Sequence, residues 1–266
     1  MNIHNIKYVL FSLIASAFVA CDTIEENERY IEKEIVETKR NVLLEDFTGQ
    51  NCPNCPQAHR VVNALKEQYG ESVVAVSIHA GHFAYEEGRF EPHFQTFKTE
   101  ESNSYAELWD IPSYPSGIVN RVSEPIQYQN WSTFVEGELQ KDSKVNIETV
   151  ALFNADSTEI TITSSLKPLT DIEGHLQLWI TEDEIVSYQL DGTTPVVDYV
   201  HDHVFRTSVN GFGGEEVALI KNVFETREHK ISVQDKWNKK KLNIVVFVYN
   251  NSEGVLQVVE ADVMGF

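Results

Sequence analysis

Hydrophobic periodicity changes once along this chain, near residue 143, and that change constrains the fold more than any other feature. From Asn41 to about Asp142, strand-like and helix-like patterns alternate. Val42-Leu43-Leu44-Glu45-Asp46-Phe47 reads as a strand, and Gly49 marks a turn. Ala58, Val61, Val62, Leu65 and Tyr69 then share one helical face, which Gly70 stops. Val73–Ile78 is a continuous apolar run, as expected of a parallel strand buried on both faces. Together these make a βαβ unit, for which a right-handed crossover is expected. Gly117–Asn120 predicts another short strand, and Trp131, Phe134, Val135 and Leu139 a second amphipathic helix. Beyond Lys144 the period becomes two. Strands are expected over Val145–Phe153, Glu159–Leu166, His175–Ile180, Val196–Phe205, Glu216–Phe224, Lys230–Val233, Leu242–Tyr249 and Val255–Val263. Turn signals such as Asp191-Gly192 and Asn210-Gly211-Phe212-Gly213-Gly214 separate several of them. The expected fold is therefore α/β plus all-β, with 41–141 as one domain. An antiparallel β-sandwich of immunoglobulin-like kind is expected over 144–266.

Charge narrows the partners. Forty-one acidic against twenty-one basic residues leave a formal charge of −20. So negative a surface repels phosphate backbones, which argues against nucleic acid as a partner. No apolar run reaches the roughly 18 residues of a spanning helix.

The first 20 residues read as an address. Lys7 precedes the apolar run Tyr8–Ala20, which ends in small residues, the pattern of a secretory signal peptide. The following Phe18-Val19-Ala20-Cys21 resembles the lipobox of bacterial lipoproteins, with Phe18 in place of the usual leucine. That resemblance implies acylation of Cys21 and membrane attachment through a lipid anchor. Ordinary cleavage after Ala15-Ser16-Ala17 is the alternative. Residues 21–40 then form an acidic tether, in which Asp22, Glu25, Glu26 and Glu28 crowd next to the anchor.

Two cysteines remain, Cys52 and Cys55, in Cys52-Pro53-Asn54-Cys55 between the first strand and its helix. Such a pair is redox-active, half of a metal site, or incidental. A zinc ribbon wants a second pair, and no cysteine is left to supply it. His59, with His79, His82 or His93, offers a scattered ligand set too easily met by chance, so neither a metal nor a cofactor is expected. With Cys52 as N-cap and Pro53 as first helical residue, backbone N–H groups and the helix dipole would stabilise a Cys52 thiolate. Pro56 complicates that geometry, and a helix starting at Pro56 with Cys55 as its cap is the competing reading.

The stretch Leu44-Glu45-Asp46-Phe47, followed by Cys52-Pro53-Asn54-Cys55, resembles the thioredoxin superfamily. The resemblance implies a thioredoxin-like domain over 41–141, with Cys52 attacking and Cys55 resolving. Asp46, six residues before Cys52, would be the buried acid that exchanges a proton with the resolving thiol; a plain strand-end carboxylate is the alternative. Asn51 stands where a tryptophan is usual. The resemblance also implies a cis-proline opposite the pair. Tyr114–Pro115 is preferred over Ile111–Pro112, its role being to present the Tyr114 backbone to a substrate strand; two trans prolines in a turn are the alternative. Between Ile78 and Pro115 a long insertion carries His79, His82, His93 and many aromatics.

The lipobox, acidic tether, Glu45-Asp46-Phe47-Thr48-Gly49 and the CPNCP motif together resemble the outer-membrane-protein-28 family of bacterial lipoproteins. So do Tyr114–Arg121 and Tyr199–Val204. What this implies is a lipid-anchored protein of the bacterial outer membrane, facing the periplasm or the surface. Its expected function is thiol–disulfide exchange with exported protein thiols or disulfides; binding of a surface ligand, as an adhesin with an idle disulfide, is the alternative.

Overall fold

The computed structural model describes residues 39–85 and 95–265. The signal segment, Cys21, most of the tether and His93 lie outside the described residues.

Strand β1 (Val42–Thr48) leads through the CxxC turn to helix α1 (Cys55–Tyr69) and back to the parallel strand β2 (Val73–His79). Helix α2 (Glu100–Leu108) lies in the insertion, and β3 (Ser116–Val119) returns antiparallel to β1. Helix α3 (Trp131–Leu139) completes this half. Side chains alternate across a strand, and β1 uses both faces. Val42 and Leu44 join Ala58, Val62, Leu65, Trp131 and Val135 in a core beneath α1 and α3, whereas Leu43 and Phe47 face the other way. Parity thus sends Asp46 to the α1 face and Glu45 to its opposite. In β2 the same rule puts His79 on the α1 side with Val73 and Ala75.

The second half is all strand: β4 (Val145–Phe153), β5 (Glu159–Pro168), β6 (Ile172–Glu182), β7 (Ile185–Asp191), β8 (Thr194–His201), β9 (Val204–Ser208), β10 (Glu215–Leu219), β11 (Glu225–Ser232), β12 (Leu242–Asn250) and β13 (Gly254–Met264). Ile147, Ile160, Ile162 and Leu166 from β4 and β5 pack against Leu176, Leu178, Ile244 and Val246 from β6 and β12. β13 pairs with β12 as far as Asp262 and then with β4 at Val263 and Met264, so it passes from one layer to the other. β12 is buried on both faces: Ile244, Val246 and Val248 face that core, while Val245 and Phe247 face the first half. Its near-continuous apolar run reflects this double burial.

The boundary near residue 143 does not separate two sheets. The order β11-β5-β4-β13-β12-β6-β9-β2-β1-β3, with β10 on β6, is a single eleven-stranded sheet. The halves join where Ser77 of β2 pairs in parallel with Val204 of β9, and Ser77 N–H donates to the His203 carbonyl at 2.8 Å. Their shared core holds Phe47, Val76, Ile78 and Tyr105 from one half, and Trp179, Phe205, Phe247 and Val258 from the other. Within it, the Arg121 guanidinium lies over the rings of Tyr249 (4.4 Å), Phe247 (4.9 Å) and Trp179 (5.4 Å). There it pairs with Glu45 at 3.1 Å. Burial raises the Glu45 pKa, and Arg121 opposes that shift.

Two strand expectations need correction; in one, Glu216–Phe224, the strand ends at Leu219, before a turn in which Asn222 takes a left-handed φ of 62°. Val196–Phe205 is not one strand: β8 ends at His201, and His203 takes a left-handed φ of 58°. The Asp183 carboxylate holds that turn by accepting from His203 N–H at 2.6 Å. The sequence reading also missed β7, which among the described residues pairs only with β8, forming a two-stranded hairpin outside the main sheet.

Candidate thiol–disulfide site

The site lies where β1 ends and α1 begins. Cys52 N–H donates to the Gly49 carbonyl (3.0 Å) and Asn51 N–H to the Phe83 carbonyl (2.9 Å), fixing the turn against the insertion. Phe83 approaches so closely that a Cβ at Gly49 would meet its backbone, which explains the glycine. Cys52 and Cys55 form a disulfide with Cα atoms 5.4 Å apart. The helix begins at Cys55 with Asn54 as N-cap, not at Pro53 with Cys52 as cap. The reason is local: Cys55 N–H returns to the Cys52 carbonyl at 3.3 Å, closing a turn before the helix, and Pro56 falls in the first helical turn, where no N–H is needed. Direct capping of the Cys52 sulfur by the helix is thereby lost as an argument.

Both sulfur-bearing residues are completely buried. The β7–β8 hairpin lies over the turn and is tied to its backbone. Leu190 N–H donates to the Gln50 carbonyl (2.8 Å) and Gly192 N–H to the Pro53 carbonyl (2.9 Å). The buried Gln189 amide donates to the carbonyls of Cys52 (3.1 Å) and Gly49 (3.3 Å). Tyr188 packs on Tyr85, whose hydroxyl donates to Asn51 at 2.7 Å. These hairpin residues escaped the sequence reading. The available signal was the alternation Ile185, Ser187, Gln189, in which a strand turns polar side chains inward.

Asp46 is fully buried, and among the described residues neither carboxylate oxygen has a hydrogen-bond partner. Burial pushes its pKa up to about 8. His59 Nε2 lies 3.7 Å from Asp46 Oδ2 and 3.0 Å from Thr48 Oγ1, while its Nδ1 meets the Tyr199 hydroxyl at 2.8 Å. Burial above all, then the charges of His201, Arg60 and His203, lowers the His59 pKa to about 3. Burial likewise lowers His201 to about 4, and His79 goes well below the ordinary histidine value. Burial raises Tyr199 to about 12. His59, His79 and His201 are thus neutral imidazoles near pH 7, with His201 centred 5.6 Å from His79 and 6.4 Å from His59. Among the described residues no group of three or more histidine, cysteine and acidic side chains has the geometry to hold a metal ion.

The Tyr114–Pro115 peptide is cis. Ser116 pairs with Phe47, so the register carries Pro115 to the end of β1 from which the CxxC turn departs. Tyr114 is half-buried and packs its ring against Phe83 and His82. Cys52, Cys55, Asp46 and Pro115 therefore gather at one end of β1 and β3, whereas Cys21 lies outside the described residues.

HBP35 of Porphyromonas gingivalis has a similar fold, with a TM-score of 0.66 at 17% identity, covering 85% of this chain and 76% of that one. Protein AGR_C_4864 from Agrobacterium tumefaciens gives a TM-score of 0.51 at 16% identity, covering 85% and 95%. A domain of the outer membrane lipoprotein Omp28 from Porphyromonas gingivalis is 25% identical over 46% of this chain and 88% of its own, with a TM-score of 0.34. No curated protein matches the sequence. The family model for outer membrane protein Omp28 matches residues 102–265, more than half of the chain. The chain belongs to the Omp28 family and is a protein of the bacterial envelope, associated with the outer membrane.

Proposed function

We propose that this protein is an outer-membrane lipoprotein, anchored through Cys21, that exchanges thiols and disulfides with exported proteins. In this reading residues 41–141 are a thioredoxin-like domain with a long insertion, and 144–266 an immunoglobulin-like β-sandwich fused to it through the shared sheet. Cys52 attacks, Cys55 resolves, and Tyr114–Pro115 presents backbone to the bound partner strand. The observation that carries this reading is the Cys52–Cys55 bond in the turn that follows β1, the strand that holds a buried Asp46 lacking a hydrogen bond. An uncompensated buried carboxyl is costly. Its pKa of about 8 suits a group that must both take and release a proton near neutral pH. In an envelope where disulfides persist, no third cysteine competes once Cys21 is acylated.

A second reading has its own observation. Both cysteines are sealed beneath the β7–β8 hairpin, as suits a structural disulfide in a surface binding protein or adhesin. One experiment separates the two. Reduced Cys55→Ser protein, incubated with envelope extract, accumulates mixed disulfides at Cys52 if exchange is the function. No trapped partner, together with a Cys52 pKa near the free value of about 8.5, refutes exchange and favours the binding protein. Release of Cys21→Ala protein from membranes tests the anchor.

A further inference from the structure

Asp46 is sealed from water, yet a group that accepts the proton of a resolving thiol must return it each cycle. We propose that His59 and Tyr199 form the route by which protons pass between Asp46 and solvent. This inference rests on the exchange reading above.

The three groups stand in line with one gap, between Asp46 and His59, which are close but not hydrogen-bonded; His59 Nε2 meets Thr48 Oγ1 at 3.0 Å instead. His59 Nε2 faces Asp46 Oδ2 at 3.7 Å, and His59 Nδ1 bonds the Tyr199 hydroxyl at 2.8 Å. Both residues line a cavity of about 30 Å3, shared with Ser77, His79, His201 and His203, which is large enough to admit a water molecule. The three links come from three elements: Asp46 from β1, His59 one helical turn beyond Cys55 on α1, and Tyr199 from the hairpin strand β8. The other titratable or charged groups around His59 and Tyr199 are His79 of β2, Arg60 of α1, His201 of β8, Asp202 and His203 of the following turn, and Asp191, which pairs with Arg60. Burial first, then His201, Arg60 and His203, disfavour added positive charge, so His59 conducts as a neutral ring rather than as an imidazolium.

The chemistry balances as follows. A mixed disulfide joins Cys52 to a partner sulfur. Cys55 S–H gives its proton to the Asp46 carboxylate, and the Cys55 thiolate attacks Cys52 Sγ. The Cys52–Cys55 bond forms, the bond from Cys52 to the partner sulfur breaks, and the partner leaves as a thiolate: the pair is oxidised and the partner reduced. A side-chain shift that closes the 3.7 Å gap then lets neutral Asp46 donate its proton to the Nε2 lone pair as Nδ1–H gives its own to Tyr199 and onward to water. His59 changes tautomer without changing charge. Ring rotation or the opposite shift restores it.

The test uses the reduced full chain and an aromatic disulfide that releases a coloured thiolate. The first equivalent reports attack by Cys52, and the second reports closure by Cys55. Tyr199→Phe keeps the ring that packs on His201 but removes the hydroxyl; His59→Phe breaks the route at its centre. Each is expected to slow the second phase on the order of tenfold, less than the roughly 10²–10⁴ of losing a general acid–base group outright. Each should also shift the second phase's pH midpoint and leave the first phase unchanged. Added to Asp46→Asn, neither should slow it further. A second phase unchanged in Tyr199→Phe, or both phases slowed equally at every pH, overturns the route while exchange stands. Absence of any second phase in the unaltered protein overturns exchange, and the route with it. Should His59→Phe not fold, Tyr199→Phe decides alone.

Discussion

Replacing Asp46 with asparagine should change how stability depends on pH, by an amount that follows from its burial. Asp46 has an ordinary value of 3.8, and burial raises it to about 8 in the folded protein. Between those values the folded state keeps a proton that the unfolded chain has released, so stability falls as pH rises, by about 1.36 kcal/mol per unit at most. The neutral histidines act oppositely. His59 and His201, lowered to about 3 and about 4, cost stability in acid, and that cost fades as pH rises towards the ordinary histidine value of 6.5. From pH 6.5 to 8 the Asp46 contribution therefore dominates. Half-titrated at the upper end, it amounts to about 1.5–2 kcal/mol. The assay is urea unfolding of the oxidised protein at pH 6.5 and 8, for the unaltered chain and for Asp46→Asn. The unaltered chain should lose about that much more stability over this interval than the variant. Equal losses would mean that Asp46 ionises normally, and the case for a buried proton-exchanging acid would fail.

Three further outcomes are expected. Gln189→Ala leaves the Gly49 and Cys52 carbonyls short of a buried donor, so reduction of the disulfide by dithiothreitol should accelerate about fivefold, from roughly 1 kcal/mol of lost hydrogen bonding. An unchanged rate would separate hairpin opening from access to the sulfurs. Arg121→Ala strands Glu45 in the shared core and should cost about 3–5 kcal/mol in urea unfolding, partly restored by adding Glu45→Gln. Gly117→Ala drives a methyl group into the Trp131 indole and should cost about 1–3 kcal/mol, read as a lowered Tm.

Particular residues show what could be read before the structure. Periodicity located α1 and β4, and near-continuous apolar runs located β1, β2 and β12, because the former bury one face and the latter both. The CxxC turn, Asp46 and the choice of Tyr114–Pro115 came from resemblance and spacing; the bond is cis, and Asp46 is sealed in the interior. The hairpin strand β7 was hard to read, because its inward face is polar: Ser187 and Gln189 are buried, and Gln189 bonds a loop more than a hundred residues away. The helix start was misjudged by two residues, because a tight turn closed on the Cys52 carbonyl takes precedence over capping by its sulfur. The joined sheet was hidden for a different reason: one residue pair, Ser77 with Val204, makes the connection, and a single pair leaves no pattern.

The shared core also sets a timetable. A chain delivered from its N-terminus presents β1, α1, β2 and β3 long before β12 and β13 exist. Helices α1 and α3 can cover the Val42 and Leu44 face at once. The opposite face, with Leu43, Phe47, Val74 and Val76, must wait for Phe247 and Val258 near the far end of the chain. Over that interval Tyr105 of α2 covers only part of that side, and the apolar remainder is the kind of surface that aggregates or recruits a holding chaperone. Biogenesis, more than the finished protein, is where this architecture is most exposed to failure, and truncation before β12 removes Val245, Phe247, Val255 and Val258 from the cover of that side.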